Sequence, residues 1–276
     1  MLVSLKEILK NTRTQKYAVG LFDVVTVSMA RAVIDAAEAL QAPVLIGTAE
    51  ILLDACSLED AASFLIPMAK KASVPVGVHF DHGYDTDLIQ KAIELGFTSV
   101  MYDCSALSFE KNKERCAKLI QFAHKKGVSV ETELGHVGTQ EQEDDGNLYT
   151  DPEQARQFIE ETQADALAVS IGTSHGAYCQ PPKLDISRLS LIAEKVETPL
   201  VLHGGSGLSD EDFRATIQAG CSKMNIWTDL NVAAFSGATE YLKAKKGIWN
   251  FLPKSRQAVQ AVAEEKIRLF GAVGKA

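Results

Sequence analysis

The chain has 276 residues, 46% of them hydrophobic and 23% charged, and a formal net charge of -8. This is ordinary globular composition, and the acidic balance argues against a broad nucleic-acid-binding surface while leaving room for a small local anion site built from backbone N–H groups. The mixed, charged start Met1-Leu-Val-Ser-Leu-Lys-Glu-Ile-Leu-Lys10 has no secretory pattern, no apolar run approaches the ~20 residues of a membrane helix, and a cytoplasmic location is expected.

Short β-branched runs alternate with amphipathic stretches along the chain. Strands are expected at residues 17–22, 44–47, 76–80, 99–102, 129–134, 166–171, 200–202 and 223–226. Helices are expected at 27–41, 58–71, 85–95, 109–126, 152–162, 186–195 and 210–219, several closed by a glycine such as Gly96, Gly127 or Gly220. Alternation of this kind pairs strands in parallel through βαβ units. Eight units in this length predict an α/β fold, a TIM (β/α)8 barrel whose usual size is ~250 residues. A doubly wound sheet would show a glycine-rich first βα turn, and none follows residues 17–22.

Two segments exceed a minimal barrel. Residues 138–150 are acidic, polar and long for a βα loop, which suggests a mobile loop over the site. From Thr228 onward the pattern predicts additional C-terminal helices with residues 247–253 as a connector. No repeat or linker divides the chain, so one domain over residues 1–276 is expected. The five cysteines (Cys56, Cys104, Cys116, Cys179, Cys221) are scattered, form no CxxC pair, and read as reduced thiols.

Three histidines end apolar runs: His82 in Val76-Gly-Val-His-Phe-Asp-His-Gly83, His175 in Ala166-Leu-Ala-Val-Ser-Ile-Gly-Thr-Ser-His-Gly176, and His203 in Pro199-Leu-Val-Leu-His-Gly-Gly-Ser-Gly207. They follow the third, sixth and seventh candidate strands, and a barrel gathers such strand ends at one rim. Three neutral imidazoles with an open fourth position form a catalytic zinc arrangement. Asp81 precedes His82 and is either a proton carrier or an acceptor that orients an imidazole. Asp103, Glu131 and Glu133 end strands four and five. Glu131 and Glu133 share a strand face, where carboxylates need a cation or a buried ion pair. His79 lies inside its strand and is expected to pack or orient a neighbour, while His136 sits ambiguously at the rim. Gly204, Gly205 and Ser206, with residues 225–228 on the eighth strand, occupy the usual phosphate position of such barrels.

In order, these segments resemble the class II, zinc-dependent ketose-bisphosphate aldolases of the fructose- and tagatose-bisphosphate type. The resemblance runs from Tyr17-Ala-Val-Gly-Leu-Phe22 through His79-Phe-Asp-His-Gly83, Val128-Ser-Val-Glu-Thr-Glu-Leu-Gly135, Ile171-Gly-Thr-Ser-His-Gly176 and His203-Gly-Gly-Ser-Gly207 to Lys223-Met-Asn-Ile-Trp-Thr-Asp229 and Lys266-Ile-Arg-Leu-Phe-Gly271. It implies catalytic Zn2+ on His82, His175 and His203, proton transfer by Asp81, and a second or alternative metal position at Asp103 and Glu133. It implies binding of dihydroxyacetone phosphate by Gly176, Gly204, Gly205, Ser206, Asn225, Ile226, Trp227 and Thr228. A glutamate of the acidic loop would move a second proton, with Glu141 first and Glu143 second. A Na+ or K+ ion near the phosphate and a homodimer or homotetramer are also implied. The expected reaction is reversible cleavage of a ketose 1,6-bisphosphate or related ketose 1-phosphate to dihydroxyacetone phosphate and an aldehyde.

Departures from the family pattern fall outside the phosphate segments except at Trp227. Asp23 stands for the usual Asn, Ala49 for a Ser, Cys104-Ser105-Ala106 for Gly-Ser-His, His136 for an Arg, and Trp227 for Asp or Ala. A metal-dependent phosphosugar epimerase or isomerase would share the zinc and phosphate features, and the departures give some weight to a non-catalytic sugar-phosphate-binding protein.

Overall fold

A computed structural model describes residues 1–138, 149–176, 178, 180–244 and 251–276. Eight parallel strands close into a barrel in sequential order: β1 (Val19–Asp23), β2 (Val44–Ala49), β3 (Val76–Gly83), β4 (Ser99–Tyr102), β5 (Ser129–Leu134), β6 (Ala166–Val169), β7 (Leu200–Leu202) and β8 (Cys221–Ile226). Every strand residue is buried, as expected when side chains fill the lumen and helices cover the outside.

The helices, in chain order, are α1 (Leu5–Leu9), α2 (Thr12–Gln15), α3 (Val27–Leu40), α4 (Leu58–Lys71), α5 (Thr86–Leu95), α6 (Phe109–Lys125), α7 (Pro152–Thr162), α8 (Ile186–Lys195), α9 (Asp210–Gln218), α10 (Thr228–Lys243) and α11 (Phe251–Leu269). The seven inter-strand helices fall where the periodicity places them. The short α1 and α2 were not expected; α1 is closed by a capping box between Ser4 and Glu7. The expected connector is also corrected at its end. Phe251 to Pro253 open α11, and a proline in a first helical turn removes an N–H that has no partner there.

The strand boundaries differ most where function concentrates. β3 runs three residues past Phe80, and β6 ends two residues before Ile171. Pairing of β3 with β4 shifts between Phe80 and Gly83, a bulge at which His82 takes a φ of 41°. Period-2 alternation would send Asp81 and His82 to opposite faces; the bulge cancels it and leaves both at the mouth.

α11 lies against α3 and β1, with Val259, Ala263, Ile267 and Phe270 buried, and Ala18 N donates to Phe270 O at 2.9 Å. The C-terminal segment therefore forms part of the barrel wall. Among the described residues no helix is long and apolar enough to cross a membrane. Cys56, Cys104, Cys116 and Cys221 are free thiols, and Cys179 lies outside the described residues.

Candidate active site

Strands β3, β6 and β7 bring His82, His175 and His203 together. One ring nitrogen from each lies within 4.8 Å of the others. The rings stand nearly perpendicular, with centroids 4.4 Å apart for His82 and His203 and 4.7 Å apart for His82 and His175. Each outer nitrogen is assigned by its partner. His82 Nδ1 meets Asp103 Oδ2 at 3.0 Å, and His203 Nε2 meets Glu131 Oε1 at 2.9 Å. The remaining nitrogens, His82 Nε2 and His203 Nδ1, face each other at 2.6 Å. Carboxylate-backed imidazoles that converge in this way are the donor set of a divalent zinc site. Buried His175 Nε2 has no hydrogen-bond partner, a costly state that a cation would relieve if that nitrogen turned to it. The donor set therefore suits Zn2+.

Charge in this cluster is strongly redistributed. Burial opposes a charged His82, yet Asp81, the hydrogen bond to Asp103 and Glu133 outweigh it and push the imidazolium up to about 10. Burial and the neighbouring His82 and His203 push His175 down to about 3. Burial likewise lowers His203, although Glu131 pulls the other way. A zinc-bound imidazole must be neutral, so the cation has to displace the proton that His82 otherwise keeps throughout the neutral range. The folded pKa is raised; zinc affinity should therefore climb with pH from 6 to 9, about tenfold per unit for one displaced proton. Calorimetric zinc titrations of metal-free protein in two buffers of different ionisation heat should show at least one proton released per ion. Identical heats in both buffers would contradict the assignment.

Asp103 and Glu133 join His82 in a second possible metal cluster. Burial and the charge of Asp103 push Glu133 up to about 8, and its Oε2 is buried without a partner. Glu131 differs from its strand neighbour: burial opposes its charge, but Lys223 and His203 hold it down at about 2. Lys223 is fully buried, with Nζ 2.8 Å from Glu131 Oε2 and 2.8 Å from Asn225 Oδ1. Glu131 is thus half of an ion pair in the lumen and the orienting carboxylate of His203.

Asp81 sits at the barrel mouth, 3% exposed. Asn225 Nδ2 donates to both its oxygens, at 3.1 and 3.0 Å, and His79 Nε2 lies 3.5 Å from Oδ1. His79 Nδ1 is tied to Ser99 Oγ at 2.8 Å, so His79 orients a neighbour, as its place inside the strand suggested. Burial alone would raise Asp81, but His82 and His79 keep it well below the carboxylate range. Asp23 shows the reverse: burial and the charge of Asp81 push it well above that range. The pair is therefore pushed apart, Asp81 toward its ionised form and Asp23 toward its protonated one.

The glycine segment after β7 lies beside this cluster. Gly204 has a φ of 66°, and a Cβ there would collide with the Ser174 carbonyl, so only glycine permits the close approach of these two loops. Ser206 Oγ accepts from Asp229 N at 3.3 Å, and Tyr178 donates its hydroxyl to Gly204 O at 2.8 Å. Gly176 has a φ of 100° with open space beside it. Trp227 caps α10 without any side-chain cap bond, which leaves the first-turn N–H groups of Thr228 and its neighbours turned toward the glycine segment. The Asn225 side chain is engaged with Asp81 and Lys223, and Ile226 is fully buried, so any contact of Ile226 with an anion is through its backbone.

Glu141 and Glu143 lie outside the described residues. The ends of their loop are tied down: Val137 N donates to Glu133 Oε1 at 2.8 Å, His175 N to Gly138 O at 2.8 Å, and Thr150 N to Ser170 O at 3.0 Å. His136, ambiguous in the sequence, meets Ser105 Oγ at 2.8 Å and Glu133 Oε1 at 3.8 Å. Sequence reasoning missed Lys223 and undervalued Asp23. The available signal was a lysine inside β8 and an aspartate ending the otherwise apolar β1.

A family model described as class-II fructose-bisphosphate aldolase matches residues 3–275. The chain is 41% identical to the uncharacterized protein YdjI of Escherichia coli over 271 residues, covering 97% of each. It is 35% identical to a fructose-bisphosphate aldolase of Staphylococcus epidermidis over 286 residues, covering 100% of this chain and 99% of that one. The crystal structure of the Escherichia coli YdjI aldolase superimposes with a TM-score of 0.92 at 38% identity over 100% of both chains. That of the Campylobacter jejuni fructose-bisphosphate aldolase does so with a TM-score of 0.86 at 25% identity, over 100% of this chain and 97% of that one.

Proposed function

Because the chain belongs to the class-II fructose-bisphosphate aldolase family of lyases, we propose that it catalyses zinc-dependent, reversible cleavage of a ketose 1,6-bisphosphate or related ketose 1-phosphate. The products are dihydroxyacetone phosphate and an aldehyde. One observation supports the reading: three convergent imidazoles, an aspartate held toward its ionised form beside them and a glycine-rich segment stand at one mouth of the barrel.

His82, His175 and His203 hold the cation, with Asp103 and Glu133 as the alternative metal position. Bound there, zinc supplies Lewis-acid polarisation of the ketose carbonyl. Asp81 takes the C4 hydroxyl proton as the C3–C4 bond breaks and returns it in condensation. Asn225 and His79 hold the carboxylate in place for that transfer. Gly176, Gly204, Gly205, Ser206 and the segment from Asn225 through Ile226 and Trp227 to Thr228 fix the phosphate, which orients the ketose. A Na+ or K+ ion beside the phosphate belongs to the same proposal. Glu141, outside the described residues, is assigned the proton at the nucleophilic carbon.

The protein acts as one cytoplasmic domain over residues 1–276 and assembles as a homodimer or homotetramer, with no nucleic-acid partner. The exposed Val232, Phe235 and Leu242 of α10 support a contact with a second copy.

The test is release of dihydroxyacetone phosphate from ketose phosphates by zinc-replete protein. An epimerase forms no three-carbon product, and a binding protein turns nothing over. Asp81→Asn should cut the cleavage rate by about 10²–10⁴ while zinc stays bound. A rate within a factor of a few of the parent would remove Asp81 from proton transfer.

A further inference from the structure

We infer that the aldehyde half of the substrate carries no phosphate, so that the enzyme acts on ketose 1-phosphates rather than bisphosphates. This rests on the aldol-cleavage reading and selects among its substrates.

The loops that follow β1 to β5 make up the side of the mouth opposite the glycine segment. Among the described residues of these loops, 24–26, 50–57, 84–85, 103–108, 135–138 and 149–151 contain no lysine or arginine. They carry Glu50, Asp54, Asp85 and Asp103. A phosphate dianion brought there meets charge of its own sign.

Backbone donors could replace side-chain cations, as they do at a glycine loop, but here acids already occupy them. Glu50 Oε2 accepts from Tyr84 N at 2.7 Å and Asp85 N at 3.0 Å. Asp103 Oδ1 accepts from Ser105 N at 3.0 Å, and Glu133 Oε1 from Val137 N at 2.8 Å. Thus four peptide N–H groups after β3, β4 and β5 are turned onto carboxylates. The helix starts on this side are closed too. Thr26, Ser57, Asp85 and Asp151 cap α3, α4, α5 and α7 with their own side chains. Helix α6 lacks a side-chain cap but places Glu110 in its first turn. Across the mouth α10 begins without a side-chain cap beside the glycine segment, and Asp229 in its first turn is neutralised by Lys266 Nζ at 3.0 Å. One end of the site is built for an anion and the other against it.

What the second side does present is suited to hydroxyl groups. The Tyr84 ring stacks beside His82 with centroids 6.3 Å apart, and Ser105 Oγ and His136 meet at 2.8 Å. These hydroxyl and imidazole groups at the edge of the cluster are matched to a polyhydroxy aldehyde.

The experiment condenses dihydroxyacetone phosphate with glyceraldehyde and with glyceraldehyde 3-phosphate, both enantiomers of each, on the zinc-loaded full chain. Measurements are made at low and high ionic strength and repeated with Glu50→Gln. The expected kcat/KM is on the order of 100-fold lower for the phosphorylated aldehyde. High salt should narrow that gap by screening, and Glu50→Gln should narrow it by removing one negative charge while its amide oxygen still accepts from the same two peptide donors. Equal or better use of glyceraldehyde 3-phosphate overturns the inference and leaves aldol cleavage standing. A gap untouched by salt and by Glu50→Gln assigns the preference to shape and overturns the electrostatic account. No consumption of dihydroxyacetone phosphate with any aldehyde overturns the aldol reading itself, and this inference with it.

Discussion

Replacing His203 with alanine should abolish both bound zinc and cleavage. His203 is fully buried and faces His82 Nε2 through its Nδ1, so its loss removes one of the three converging imidazoles. Two imidazoles remain, too few for a catalytic zinc site, which takes three protein ligands. Lewis-acid polarisation contributes several kcal/mol to the transition state, so the rate should fall by about 10³ or more. Metal analysis of the purified variant and a cleavage assay report the two losses separately. Full zinc content in His203→Ala, or an undiminished rate in metal-free parent protein, would sink the zinc assignment. A thermal melt must accompany the assay, because the substitution also removes one of the two partners of Glu131.

The second large effect is on stability. Lys223→Met should destabilise the protein by about 3–5 kcal/mol, because it leaves the Glu131 carboxylate buried with its main counter-charge gone. For a chain of this size that amounts to a fall in melting temperature on the order of 10 °C. Combining it with Glu131→Gln removes both charges, and the double variant should recover much of the loss. Recovery of stability need not restore the site. An amide in place of the Glu131 carboxylate no longer gives His203 Nε2 a charged acceptor, and zinc affinity should stay about 10–100-fold weaker. Stability and metal affinity restored together would show that Glu131 has no orienting role. A single Lys223→Met variant as stable as the parent would show that the pair is dispensable.

The barrel was legible because its evidence is local. Apolar runs of four to eight residues alternate with stretches of helical period, and glycines such as Gly96 close several helices. Each signal is set by a few neighbouring residues, and eight repetitions leave few alternatives. Ends of elements were less legible. β3 reads as finishing at Phe80, because Asp81 and His82 are poor strand formers by composition, yet parallel pairing carries the strand on to Gly83. Likewise Pro253 looks like part of a break and instead opens a helix whose apolar face docks on α3.

The candidate site divides in the same way. Three histidines at strand ends, and small residues after the seventh strand, announced a metal and an anion from sequence order alone. Glu131 and Glu133 could not be told apart there, since both lie on one face of one strand. Their environments separate them. Lys223, 92 positions further along, reaches Glu131 and keeps it ionised. Glu133 has Asp103 nearby instead and is pushed up to about 8. Asp23 is a comparable case, since burial and the charge on Asp81, two strands away, push it toward its neutral form.

The sequence by itself determined the α/β barrel, the order of its strands, and the identity of the three imidazoles, because these depend on periodicity and on residue types at strand ends. Only the tertiary structure decided what the residues between those histidines do. A bulge at Phe80–Gly83 turns Asp81 and His82 to the same mouth, where strict alternation would have parted them. Closure of the barrel sets Lys223 against Glu131 and Asn225 against Asp81. It also sets Glu50, Asp85 and Asp103 on one side and leaves the glycine segment on the other. Charge in a buried cluster depends on distances across the lumen, and those exist only once the strands have closed.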